Sequence, residues 1–103
     1  NIAVANTDVT FAITRSAHTI TQTSGTSTIA TITGGNTGQR LVLVFTNAGV
    51  TLTDTAVAGA TADQLVLTAG LTAAAGDCIE LILMPVGAAA ALVWVEVSRA
   101  VNG

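Results

Sequence analysis

Residues 41–45, LVLVF, put Leu41, Leu43 and Phe45 on one side of an extended strand and Val42 and Val44 on the other. Neither side is polar, so the pattern predicts a strand that must be covered on both faces. Residues 34–38 just before it read GGNTG, and glycines there let the chain reverse tightly through positive φ. The rest of the chain repeats this device of a turn followed by an apolar strand. Val9, Phe11 and Ile13 share a face in a strand over 9–14, and 18–23 reads as its returning partner in a first hairpin turned at 15–17. Ile29 and Ile32 alternate with threonines over 27–33. The NAG at 47–49 suits a second hairpin, from 41–46 into a strand at 50–54.

Residues 55–63, TAVAGATAD, read as a longer loop, because Gly59 and the threonines oppose the helical preference of the alanines. Leu65 and Leu67 share one side of a strand at 64–68, and 69–76 is a loop containing Gly70 and Gly76. Over 77–84, Ile79, Leu81 and Leu83 alternate with Cys78, Glu80, Ile82 and Met84. Pro85 is expected to stop that strand because proline cannot donate to the ladder. After a link at 87–90, residues 91–99 return with Val93, Val95 and Val97 opposing Leu92, Trp94 and Glu96. No segment holds a helical period over several turns. The reading is an all-β chain, a compact antiparallel sandwich or barrel, or a short β-solenoid, of about eight short strands.

Composition changes this picture in one respect. The chain of 103 residues is one domain's length, and 50% of it is hydrophobic while only 9% is charged, well under the roughly 25% of an ordinary soluble domain. There is no lysine. So little charge predicts that apolar surface is hidden in a homo-oligomer or larger assembly. Membrane insertion by a helix is not predicted, since polar residues interrupt every apolar run well before the ~18 needed, and the few aromatics cannot form barrel girdles. The N-terminus, NIAVANTDVT, lacks the basic and apolar regions of a secretory signal. Three scattered arginines, Arg15, Arg40 and Arg99, and a net charge of −3 disfavour nucleic acid.

Candidate chemistry is sparse. His18 is the only histidine and Cys78 the only cysteine, too few for a transition-metal site. Ser16 near His18 lacks a nucleophile elbow, and GGNTG lacks the lysine and helix of a phosphate loop. Glu80 and Glu96, on the two strands of the last hairpin, could face each other as a glycosidase pair; the plainer reading is an exposed strand pair beside Arg40 or Arg99. Cys78 reads as a small hydrophobe. Trp94 reads as core or subunit interface, with stacking on a glycan as its alternative. No catalytic residue, cofactor or metal is assigned.

Taken in order, GGNTGQRLVLVFTNAGVTLTD, QLVLTAG, AAAGDCIELILMPV and ALVWVEVSRAVN resemble a module of bacteriophage tail fibres, tailspikes and related virion proteins. Gly38-Gln39, the 50–54 strand, Gly76-Asp77 and Trp94 to Arg99 carry the resemblance over residues 29–102; residues 1–28 have no clear counterpart and read as N-terminal strands or an arm. The resemblance implies a non-enzymatic structural protein of the virion, a homotrimer among other virion proteins, in a fibre or as a capsid decoration. It also implies an alternative, a host-glycan-binding module contacting sugar through the 55–63 and 69–76 loops and Trp94.

Overall fold

One strand organises the molecule by bending. The computed structural model describes residues 1–87 and 90–102, and among these it has eight strands. They are β1 (Ile2–Ala12), β2 (Ala17–Thr33), β3 (Arg40–Phe45), β4 (Val50–Leu52), β5 (Leu65–Val66), β6 (Leu71–Thr72), β7 (Cys78–Val86) and β8 (Ala91–Ala100). A straight β2 of 17 residues would run roughly 55 Å at ~3.3 Å per residue, yet the longest dimension of the molecule is 37 Å. β1 pairs with β2 in parallel, from Ile2↔Ile20 to Ala12↔Thr33. Residues 13–16, which alone join the two strands, can span no more than ~18 Å. Both ends of β2 must therefore lie near each other, and the strand folds back on itself.

The bend is written into the backbone. Gly25 sits at φ 68, and Thr7 on the neighbouring strand sits at φ 75, where the β1–β2 register shifts twice between Val4 and Thr7. A threonine at positive φ is uncommon, and bulges of this kind are how paired strands turn a corner. Inside the corner, the Gln22 side chain is buried; its Nε2 donates to Ser27 Oγ (2.9 Å) and to the Gly49 carbonyl (3.0 Å), and its Oε1 accepts from Ser24 N (3.2 Å).

The first hairpin predicted from 9–14 and 18–23 is therefore replaced by a parallel pair, possible over so short a connection only because β2 bends. The second predicted hairpin is also corrected. β3 and β4 do not pair with each other; they lie one after the other along the same edge of β2, at Ala17–Ile20 and Ser27–Ile29, both parallel to it. Asn47 bridges the gap between them with its side chain in place of a peptide group: Gln22 N donates to Asn47 Oδ1 and Asn47 Nδ2 donates to the Gln22 carbonyl, both at 2.9 Å.

The last hairpin is antiparallel as expected, from Cys78↔Ala100 to Val86↔Ala91. Pro85 does not stop β7; it pairs with Leu92. β3 reaches only as far as Ile82 on β7, so at Pro85 that side of β7 is an edge, where proline is tolerated. Residues 88 and 89, within the predicted link, lie outside the described residues. The 55–63 loop holds one 3₁₀ turn, Val57–Gly59, and the 69–76 loop contains β6, antiparallel to β4.

The chain is all-β, and its sheet is mixed where an antiparallel one was expected. In the order β5-β8-β7-β3-β2-β4-β6 it curls into a half-barrel. Residues 63 and 64 lace β8 to the C-terminal part of β2: Ile32 N donates to the Asp63 carbonyl (3.0 Å), Asp63 N to Leu92 O (2.8 Å) and Trp94 N to Gln64 O (2.9 Å). Ile20, Ile29, Ile32, Leu41, Leu43, Phe45, Leu81 and Trp94 fill the interior and have no exposed surface.

Candidate assembly surface

Alternation along β3, β7 and β8 divides their side chains into two sets. Leu41, Leu43, Ile79, Leu81 and Leu83 point into the core, so the residues between them point outward. Register aligns these into rows: Val44, Cys78 and Ala100; Val42, Glu80 and Ser98; Arg40, Ile82 and Val95. Ala17 and Thr19 of β2 extend the second and first rows. Most of this face is apolar, and it is open. Val44 is 37% exposed and Met84 38%, while Val93, opposite Met84, is buried; Val97, unpaired at the register shift of β8, is 45% exposed. The expectation that both faces of the LVLVF strand are covered is thus met on one side only, because a single curled sheet covers its concave face and has no second layer for its convex one.

The opposite part of the barrel differs. There Thr28, Thr51 and Thr72 align across β2, β4 and β6, alternating with buried Ile29, Leu52 and Leu71. Hydroxyls keep that face compatible with water. Of the exposed large apolar side chains, Val44, Met84 and Val97 belong to β3, β7 and β8, and Val57 and Val101 stand outside the strands.

Two charges stand on the apolar face. Arg40 Nη1 lies 3.2 Å from Glu80 Oε2, with the side chains 59% and 31% exposed. A pair this exposed contributes at most about 1 kcal/mol, so it does little for the fold. Glu96 is bound differently: Oε1 accepts from Arg99 Nη2 (2.7 Å), Thr68 N (3.1 Å) and Thr68 Oγ1 (3.1 Å), while Oε2 accepts from Arg99 Nε (2.9 Å). Arg99 Nη2 also donates to the Ala69 carbonyl (2.6 Å). The two glutamates therefore do not converge on a shared cleft: each is turned to its own arginine, and the shift between Glu80 and Leu81 sets Glu96 opposite Leu81.

His18 lies at the end of the barrel, in a shallow groove of about 270 Å³ lined by Asn1, Arg15, Ala17, Thr19 and Val44. Its Nε2 accepts a hydrogen bond from Thr14 N at 3.3 Å. Burial lowers its pKa, and the positive charges of the Asn1 amino group and Arg15 lower it further. Cys78 is half-buried at one end of the apolar face, where β7 begins. Among the described residues no group of three or more His, Cys, Asp or Glu could hold a metal ion, and no helix is long and apolar enough to cross a membrane.

Trp94 takes the core place among those expected of it, and is corrected as an interface or glycan contact. It is 0% exposed, and its Nε1 donates to the Ile32 carbonyl at 2.9 Å. A ring without accessible surface cannot stack on a sugar. The reason is local: Gly35 lies against the ring, where even a β-carbon would come within 2.6 Å of Trp94 Cζ2. What the residue pattern alone did not reveal was which strand faces stay open, although the valines of LVLVF carried the signal.

Comparison of the chain with family models, curated proteins and solved structures finds no match.

Acid should weaken the fold in two windows. Glu96 has its pKa lowered from the ordinary 4.5, first by the Arg99 hydrogen bond, then also by Thr68. A depressed carboxylate adds stability above its unfolded pKa and loses it as pH falls through the folded one. His18, lowered from 6.5, favours the neutral form when folded, so its contribution declines as pH drops below about 6.5. Urea midpoints measured against pH should fall in both ranges, and Glu96→Gln should flatten the lower one. An unchanged acid limb in Glu96→Gln would show that the clamp does not form in solution.

Proposed function

We propose that this chain is a non-enzymatic structural module of a bacteriophage particle, part of a tail fibre or tailspike or a capsid decoration, acting as a homo-oligomer among other virion proteins. A trimer is the favoured state. The observation that carries the reading is the open convex face of β3, β7 and β8, apolar on a chain only 9% charged. Burying such a face contributes roughly 25 cal/mol for each Å² of apolar surface removed from water, and copies of one chain reach this most simply by symmetry. The ordered motifs from GGNTGQ to WVEVSR support the phage setting by resemblance. The glycan-binding alternative loses its aromatic platform with Trp94 inside the core.

Size-exclusion chromatography with light scattering tests the reading. The expected mass is a multiple of the 10.2 kDa chain, about threefold for the favoured state. A monomer at every concentration would remove the basis for a self-assembling module.

A further inference from the structure

We infer that the occupant of the convex face of β3, β7 and β8 is the same face of another copy, with Arg40 of one copy meeting Glu80 of the next. This rests on the self-assembly reading above and names the surface that would serve it.

The argument begins with charge placement. Arg40 and Glu80 sit on adjacent strands, with Arg40 directly opposite Ile82, two residues along from Glu80. Around them stand Val42, Val44, Cys78, Ile82 and Val95. A face with one cation and one anion carries no net charge, so a second copy can be laid on it without like charges being forced together. Turned about a symmetry axis, it can also set each cation beside the other copy's anion. The same face suits other occupants less well. An anionic bilayer or a nucleic acid would gain one arginine and meet one glutamate, on a chain with no lysine and a net charge of −3.

The weakness of the pair within one chain points the same way. Exposed as it is, the Arg40–Glu80 contact is worth little to the monomer. Covered by a second apolar face, the pair loses solvent screening, and its orientation then discriminates between correct and incorrect docking. The threonine rows on β2, β4 and β6 offer no comparable apolar area. Cys78 lies on this face, in the row between Val44 and Ala100, so a second copy seated on the β3, β7 and β8 face places a cysteine of each copy within the contact. The sole cysteine of the chain thus becomes a built-in reporter of the contact.

The experiment uses charge reversal in the intact chain, with light scattering and a short bis-maleimide cross-linker. Arg40→Glu leaves two anions on the face and Glu80→Arg leaves two cations, so each variant alone should lose assembly. An equimolar mixture of the two should regain association between unlike copies, with Cys78 cross-links joining one variant to the other. Circular dichroism establishes that each variant folds, and Val44→Asp, at an exposed position, supplies a second route to the same loss. A wild type that assembles while these variants assemble equally well and Cys78 stays uncross-linked overturns this contact but leaves self-assembly standing through another surface. A wild type that remains monomeric overturns both. Variants that stay apart even when mixed show that the two charges do not meet across the interface, and overturn the pairing.

Discussion

Trp94→Ala should destabilise the fold by about 3–5 kcal/mol, the range for removing a large buried aromatic, and so remove a large part of a typical total of roughly 5–15 kcal/mol. Three elements meet at this ring. It is held on β8, its N–H reaches the Ile32 carbonyl on β2, and Gly35 from the turn after β2 lies against its edge. Its loss leaves both a cavity and a buried carbonyl without its donor. Trp94→Phe separates these effects: most of the ring remains, so the expected cost of about 1–3 kcal/mol is chiefly that of the stranded acceptor. Gly35→Ala should also destabilise, since its new β-carbon would approach Trp94 Cζ2 and Cη2 to 2.6 and 2.8 Å. Combined with Trp94→Ala it should cost less than in the wild type, because the truncated side chain vacates that space. Urea unfolding followed by circular dichroism measures all four chains, as the alanine variant loses the only tryptophan signal. A loss below about 1 kcal/mol for Trp94→Ala would be that of a surface residue and would return the ring to the interface.

Element type was legible from this sequence, and strand partnership was not. Alternation of Leu41, Leu43 and Phe45 with Val42 and Val44 identifies β3, and the same period identifies β7 and β8, because period two is a property of each strand by itself. Pairing depends on where the chain bends. The sequence reads 18–23 and 27–33 as separate strands, because a glycine beside Ser24 in a polar stretch, at position 25, signals a break. In the fold, Gly25 marks a corner within one continuous strand, and the erroneous first hairpin follows from that division. Asn47 shows the same limit: an Asn before Ala-Gly reads as a turn residue, whereas its amide stands in the β2 ladder as though it were backbone. The candidate surface was half legible. LVLVF declared two apolar faces, but only the curl of the sheet decides which is concave and filled.

Gln22→Leu should cost about 2–3 kcal/mol, as expected when a buried polar side chain serving several partners is removed and at least one of them is left unsatisfied. Leucine matches glutamine in bulk but supplies neither the two donor bonds to Ser27 Oγ and Gly49 O nor the acceptor for Ser24 N. Ser27 is buried and would be left with an unserved hydroxyl. Asn47→Ala attacks the same corner from the link between β3 and β4 by removing the partners of the Gln22 backbone N–H and carbonyl. Amide hydrogen exchange distinguishes the two losses. Asn47→Ala should expose the Gln22 amide, whereas Gln22→Leu should leave that amide protected by Asn47 and release the Ser24 amide. Because both substitutions act on one bend, their combined cost should depart from the sum by about 0.5 kcal/mol or more. The bend also determines the topology: with residues 13–16 too short to bridge an extended β2, a relaxed corner would pull β1 off its parallel register. β1 amides should therefore lose protection in the double variant before those of β7 and β8 do. If Gln22→Leu stayed within about 0.5 kcal/mol of the wild type, as substitutions at unimportant sites do, the side-chain network would not be what holds β2 bent, and Gly25 and the Thr7 bulge would have to do so alone.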